Sequence, residues 1–182
     1  MAELFRNQVR FYGKHGVFAE ELSPDNAFKT DEAKSDAIRF KRLFSRIIDV
    51  YMIGALVGFV YHEKAPQDGN EQTKNIMGET LSGEHDRMMF TYQLIMLLDK
   101  ESEPDLNERI RRAFSSDEEV QSKGFALFNE YARGGIERLH TELIEGATTA
   151  DDLTRNLMDF MDDFHDRFNS SMEDVDLESI LP

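Results

Sequence analysis

The longest apolar run of the chain is Val50-Tyr51-Met52-Ile53-Gly54-Ala55-Leu56-Val57-Gly58-Phe59-Val60-Tyr61, and it decides the fold. A helix that crosses a bilayer needs roughly 20 mostly apolar residues, so this shorter run predicts a buried core helix instead. Gly54 and Gly58 are four residues apart, which places both on one helix face. Because glycine has no side chain, we expect a neighbouring backbone to approach this face closely.

Apolar residues on both sides of this run recur every three or four positions, the spacing typical of amphipathic helices. The pattern around the run begins near Asp31, which predicts one long first helix that ends at about His62. Further helices are expected at residues 72–81, 84–99, 104–114, 116–146 and 149–168. The sequence therefore predicts an all-α fold, a compact irregular bundle of about five to six helices.

Capping residues mark the ends of the later helices. Ser116 and Glu119 fit a capping box, in which each side chain accepts a hydrogen bond from the other residue's backbone amide. Gly146 is a natural stop for the helix that starts there. Thr149, three residues before Asp152, opens the last helix.

Composition divides the chain into three segments. Residues 1–30 mix aromatics with glycine and proline and form an N-terminal arm, either a short hairpin or an irregular segment. Residues 31–168 form one helical domain. Residues 169–182 are polar and acidic and form a C-terminal tail that is disordered alone or docked onto another surface.

The charge balance is strongly acidic, with 36 acidic and 21 basic residues and a net charge of -15. Such a charge repels the phosphate backbone and disfavours generic nucleic-acid binding, whereas it favours solubility, a basic partner or mimicry of a nucleic acid. The chain has no cysteine and no secretory signal pattern. We therefore expect a cytoplasmic protein with no disulfide and no membrane contact.

A basic stripe interrupts this acidic composition. Arg39, Arg42 and Arg46 follow at spacings of three and four, so they share one helix face. They bind phosphate or an acidic partner, or they pair with the chain's own carboxylates. Gly134 and Gly135 interrupt a helical pattern, which indicates a kink or close helix contact within the chain, or a bare surface on which a partner's backbone docks.

Two pairs of residues match a metal-binding pattern. Glu137 with His140 has the Glu-x-x-His spacing that places a carboxylate and an imidazole on one face, and Asp162 with His165 is a looser match. Two such pairs with further carboxylates build a di-metal site, although a chain rich in acids and helices also supplies them by chance. No phosphate-binding loop, nucleophile elbow or dinucleotide fingerprint is present, so we expect no cofactor and no catalytic residue.

Two stretches resemble a known family. The first is Asn26-Ala27-Phe28-Lys29-Thr30 leading into residues 53–59, and the second is Tyr131-Ala132-Arg133-Gly134-Gly135-Ile136-Glu137-Arg138-Leu139. Together they resemble small helical accessory proteins encoded beside DNA phosphorothioation (Dnd-type) modification and restriction systems, over about residues 18–144. The resemblance implies a role in antiviral defence or DNA modification beside larger enzymes, with no catalytic residues to carry across.

The leading hypothesis is a non-catalytic accessory or adaptor subunit that binds a larger protein of a defence or DNA-processing complex. Nucleic acid would be reached only indirectly or through the basic stripe. The alternatives are a metal enzyme that uses Glu137, His140, Asp162 and His165, and an acidic mimic that occupies the nucleic-acid groove of another enzyme. The last helix offers the carboxylates for such mimicry, namely Asp159, Asp162, Asp163 and Asp166.

Overall fold

The computed structural model describes residues 4–23, 43–69 and 71–173. In these ranges the elements follow in the order β1 (Val9–Tyr12), α1 (Lys14–Leu22), α2 (Ile47–Val60), β2 (Gln72–Ile76), α3 (Gly78–Gly83), α4 (His85–Leu98), α5 (Leu106–Phe114), α6 (Glu118–Leu143) and α7 (Ala150–Glu173). The prediction of a mainly helical fold is confirmed, with one small two-stranded sheet in addition.

Helices α2 and α6 pack against each other along glycine-lined faces and form the centre of the molecule. A Cβ atom added at Gly58 would collide with the carbonyl oxygen of Tyr131, and one added at Gly135 would collide with that of Gly54. The close backbone approach predicted at Gly54 and Gly58 is therefore confirmed. Helix α6 runs without interruption through Gly134 and Gly135. Of the two explanations within the chain, a kink or a close helix contact, the structure therefore has the close contact.

An edge-to-face aromatic cluster surrounds this helix pair. The ring of Phe5 lies 5.4 Å from that of Phe128 and 6.2 Å from that of Tyr92, and Tyr51 lies 5.5 Å from Phe128. Such pairs contribute about 0.5–1.5 kcal/mol each beyond the area that they bury. The Tyr92 hydroxyl donates a hydrogen bond to the Arg112 carbonyl, so its polar end is satisfied. The cluster joins α2, α4 and α6 to the N-terminal segment.

The described part of the N-terminal arm is ordered against the core, and its strand pairs with a distant one. Strand β1 pairs antiparallel with β2, in a register that places Val9 opposite Ile76 and Phe11 opposite Lys74. Within the described residues the arm therefore does not form the local hairpin, which was one of its two predicted alternatives. The helix predicted over residues 72–76 is wrong, because these residues form β2. Residues 72–76 pair across the sheet because β1 supplies backbone partners and Ile76 becomes buried beside Val9.

The first long helix begins later than predicted. Residues 43–46 form bends, and α2 begins at Ile47 after Arg46, whose backbone is extended. Arg46 Nε and a terminal nitrogen donate to the two carboxylate oxygens of Asp49 at 3.0 and 2.9 Å, so this side chain closes the first turn. The predicted start at Asp31 lies outside the described residues.

The ends of the last two helices follow the predicted signals with one shift. The N-cap of α6 is Asp117 rather than Ser116, because the Asp117 carboxylate accepts from the amides of Glu119 and Val120 at 2.9 and 3.1 Å. Gly146 has φ +77° after the end of α6, as expected for a stop. Thr149 Oγ1 accepts from the Asp152 amide at 3.1 Å, and the Asp152 carboxylate accepts from the Thr149 amide at 2.9 Å.

Helix α7 extends to Glu173, beyond the predicted end at residue 168. The remainder of the predicted acidic tail lies outside the described residues. Among the helices of the described ranges, none combines the length and the hydrophobicity needed to cross a bilayer.

Candidate functional sites

The four residues of the metal hypothesis have separate surroundings. Glu137 on α6 accepts from the buried His15 side chain of α1, whose Nε2 lies 2.7 Å away, and lies 3.1 Å from Lys14 Nζ. Burial lowers the pKa of His15, against the opposing effect of the Glu137 hydrogen bond. This carboxylate therefore helps to hold α1 against α6.

The other metal candidates point elsewhere. The ring of His140 stacks on Phe18 at 3.9 Å, and its Nε2 lies 2.6 Å from the Glu21 carboxylate. Asp162 is exposed on α7, and His165 lines an apolar groove. Within the described ranges, no group of three or more His, Asp or Glu side chains is close enough to hold a metal ion. The spacing matched the pattern, but the tertiary arrangement does not bring the two pairs to one centre.

The partner-binding candidates are placed as follows. Arg46, at the start of α2, forms ion pairs with Asp49 and with Glu84, which directly precedes α4. Arg39 and Arg42 lie outside the described residues. Gly134 and Gly135 are buried, and the backbone that approaches them belongs to the same chain, from residues 63–64 and from α2.

An apolar groove lies between α2 and the middle of α7. Helix α2 contributes Ile53, Leu56 and Val57. Helix α7 contributes Phe160, Met161, Phe164 and His165. The groove measures about 460 Å³, within the range of small binding clefts. Its lining is almost entirely apolar, so water gains little by occupying it.

Aromatic and polar contacts of Tyr61, at the end of α2, join this helix to α7 beside the groove. The rings of Phe160 and Phe164 pack on Tyr61 at 6.0 and 6.3 Å. The Tyr61 hydroxyl donates to the Asp163 carboxylate at 2.6 Å, which lowers the pKa of Asp163, and burial raises the pKa of Tyr61 to about 12. The guanidinium of Arg138 lies 3.7 Å from the centre of the Tyr61 ring. These contacts attach α7 to the end of α2 and to α6.

Exposed methionines and carboxylates lie on α7, the helix that forms one wall of the groove. Met161 is 61% exposed, and Met158, one turn earlier on α7, is 62% exposed. Methionine is flexible and polarisable, and it is common at surfaces that adapt to a partner helix. Asp162 and Asp166 follow Met161 and His165 in the sequence and are exposed. One wall of the apolar groove is therefore a helix that also carries exposed carboxylates.

A second concavity is polar and lies beside β1. It measures about 550 Å³. Its polar lining includes Asn7, Gln8, Arg10, Gln67, Asn129 and Arg133. The Tyr51 hydroxyl donates to the Asn129 side-chain oxygen at 2.7 Å, and the Asn129 amide donates to the Phe125 carbonyl at 2.8 Å, so this side chain is rigidly oriented.

Neither concavity was found from the sequence. The apolar residues of the groove have the same helical spacing as core residues. Only the packing of the helices therefore distinguishes groove-lining residues from buried ones. The one available signal in the sequence was the pair Met158 and Met161 on the last helix. The acidic residues that surround this pair make the segment resemble an ordinary solvent-exposed face. Arg10 and Arg133 are separated by more than a hundred residues, and nothing in the sequence connects them.

Comparison with known proteins identifies one family. Residues 34–180 match the family model described as DNA sulphur modification system-associated protein 4. This match confirms the resemblance to Dnd-associated accessory proteins, and it extends through most of the acidic tail that we had placed outside it. No curated protein and no solved structure matches the chain.

Proposed function

Because the chain belongs to the family of DNA sulphur modification system-associated protein 4, we propose that it is a non-catalytic accessory subunit that binds a larger protein of that system. The observation that carries the proposal is the apolar groove between α2 and α7. Exposed apolar surface of this kind is costly in water and commonly marks a binding site for another protein.

The two helical walls of the groove favour a helical partner. Two helices, α2 and α7, form its walls, and an amphipathic helix laid between them would bury its apolar side chains in the floor. Ile53 and Leu56 are half-buried, and Met161 is exposed, so a partner side chain would cover surface that now faces water. Apolar burial stabilises a complex by roughly 25 cal/mol for each Å² removed from water.

The acidic charge of the chain favours a basic partner. Asp162 and Asp166 are exposed on α7, the helix that forms one wall of the groove, and the whole chain carries a net charge of -15. Lysines or arginines flanking the apolar face of the partner helix would meet this potential and accelerate association. The proposed partner segment is therefore a basic amphipathic helix.

The test is site-specific crosslinking inside a defined complex. The chain is co-expressed with each protein encoded in its own modification gene cluster, with a photo-reactive amino acid in place of Met161. We expect the crosslink to join this position to a basic helical segment of one of those proteins. Met161→Asp should weaken the same complex at least about tenfold, because a charge in an apolar contact costs more than about 1.4 kcal/mol.

Met77 provides the matched control, because it is 58% exposed and lies away from the groove. Met77→Asp should leave affinity unchanged, and the photo-reactive residue there should give no crosslink to the partner. Crosslinks from position 161 only to a second copy or to the chain itself would disprove the proposal. A complex that DNA displaces and that dissociates in about 0.5 M salt would instead indicate nucleic-acid mimicry, because apolar contacts are not screened.

A further inference from the structure

The polar cleft beside β1 differs from the rest of the surface in its charge balance. Most arginines in the described ranges pair with carboxylates, and these include Arg46, Arg87, Arg111, Arg112, Arg138 and Arg167. Arg10 and Arg133, which both line the cleft, form no ion pair with any described residue. The nearest opposing charge is the Glu130 carboxylate, which acts on Arg133 at longer range than an ion pair. In a chain with a net charge of -15, two arginines without an ion pair in one cleft are unusual.

Arg133 is held in place by its own helix and by the loop after α2. It is half-buried on α6, and its Nε donates to the Ala65 carbonyl at 2.8 Å. Its two terminal nitrogens make no hydrogen bond to a described residue, so they retain donors for a ligand. Burial lowers the pKa of Arg133, yet an arginine remains charged at neutral pH. The side chain is therefore a fixed, partly desolvated cation.

Arg10 and the neutral side chains complete the cleft. Arg10 is exposed on β1, and in its better-satisfied orientation the Gln8 amide oxygen accepts from the Arg10 guanidinium, which leaves the charge uncompensated. Asn7 and Gln67 add amide groups, and Phe125 adds an aromatic wall. The arginine guanidinium pairs with phosphate and carboxylate groups through two parallel, charge-assisted hydrogen bonds, which are stronger than hydrogen bonds between neutral groups.

We propose that this cleft binds a phosphoryl group, with Arg133 as the principal ligand and Arg10 as the second. A volume of about 550 Å³ accommodates a mononucleotide, whose base would lie against Phe125. The net charge of the chain repels long polyanions, which favours a free nucleotide over a DNA phosphate as the source of that group. This inference does not depend on the apolar groove or on its partner.

The experiment is a calorimetric titration of the full chain at low ionic strength with adenosine monophosphate, inorganic phosphate, citrate and a short single-stranded oligonucleotide. We expect saturable binding of the phosphate compounds with a dissociation constant below about 1 mM and weaker binding of citrate. Arg133→Gln should weaken binding at least about tenfold, Arg133→Lys less than that, and Arg10→Gln about threefold or more. Circular dichroism checks that each variant is folded.

Arg111→Gln is the control, because Arg111 is exposed on α5 and carries the same charge away from the cleft. It should change affinity by less than about twofold, as expected for a screened charge. If Arg133→Gln does not fold, Arg10→Gln on the exposed strand decides the question. Binding of nucleotide or phosphate without the oligonucleotide identifies a small ligand, and Arg133-dependent oligonucleotide binding identifies a nucleic-acid phosphate. Absence of saturable binding, a preference for citrate, or equal losses in Arg111→Gln would overturn the proposal.

Discussion

At Gly135, the absence of one side-chain carbon decides how closely the two central helices pack. The position faces the backbone of Gly54 and Gly58, and a Cβ atom there would collide with the Gly54 carbonyl oxygen. A backbone atom cannot rotate away as a flexible side chain can. The glycine therefore costs helix propensity, about 1 kcal/mol relative to alanine, and the close contact between α2 and α6 offsets this cost.

Gly135→Ala should accordingly destabilise the protein by about 1–3 kcal/mol, because the overpacking penalty exceeds the propensity gain. The measurement is the urea denaturation midpoint with the slope held constant. Gly83→Ala is the matched control, since Gly83 is also helical and a Cβ atom there would meet nothing within 4 Å. It should leave the free energy of unfolding unchanged or raise it by up to about 1 kcal/mol, because only the propensity gain applies there. A neutral Gly135→Ala would contradict the backbone contact.

At the scale of the element, α6 organises the molecule. It is the longest helix of the described residues, and α1, α2, α4, α5 and α7 all contact it. Its length depends on its N-terminal cap, where the Asp117 carboxylate accepts from two amides that have no partner within the helix. The sequence pattern had assigned this role to Ser116, one residue earlier.

Asp117→Ala should therefore lower the free energy of unfolding by about 1 kcal/mol, the usual value for loss of an N-cap side chain. Ser116→Ala is the control, because Ser116 is exposed and its side chain makes no hydrogen bond to a described residue. Chemical denaturation of both variants separates the two assignments. If Ser116→Ala were the more destabilising change, the capping box predicted from the sequence would be correct in place of the Asp117 cap.

At the scale of the whole molecule, the N-terminal arm is joined to the core through buried polar contacts. His15 is 1% exposed, its Nε2 lies 2.7 Å from the Glu137 carboxylate, and its Nδ1 has no hydrogen-bond partner among the described residues. Burial lowers the pKa of His15, and the charges of Arg133 and Lys14 act in the same direction, whereas Glu137 opposes them. The neutral imidazole is consequently the form that the fold favours.

The sign of the pH dependence follows from this shift. The unfolded chain takes up a proton near the ordinary pKa of 6.5 more readily than the folded chain does. The free energy of unfolding should therefore fall as pH decreases through about 6.5, with a slope of at most about 1.4 kcal/mol per pH unit. Urea denaturation at pH 7.5 and 5.5 measures the difference.

His15→Gln should reduce this pH dependence, because it removes the group that titrates differently in the two states. His62→Gln serves as control, since the His62 side chain is 62% exposed. Its pH dependence should match that of the unmodified protein. If the free energy of unfolding fell equally with pH in His15→Gln and in the unmodified protein, His15 would not govern the acid sensitivity of the fold.

Most of the helices could be predicted from the sequence because their apolar spacing is a local property. The helix expected at residues 84–99 matches α4 (His85–Leu98), and the glycines at 54 and 58 correctly indicated a close backbone contact. The strand at residues 72–76 could not be predicted in this way. Its partner, β1, lies about sixty residues earlier, and only that pairing determines its backbone conformation.

The sequence by itself determined the helical class, the buried apolar helix, most of the helix ends and the family, because each depends on local spacing or on a continuous match. Only the tertiary structure decided that Glu137 and His140 contact His15 and Glu21 of α1, and that Arg10 and Arg133 share a cleft. It also decided where apolar surface remains open between α2 and α7. The physical reason is that spacing along a helix assigns a residue to a face, whereas the packing of separate elements determines what that face meets.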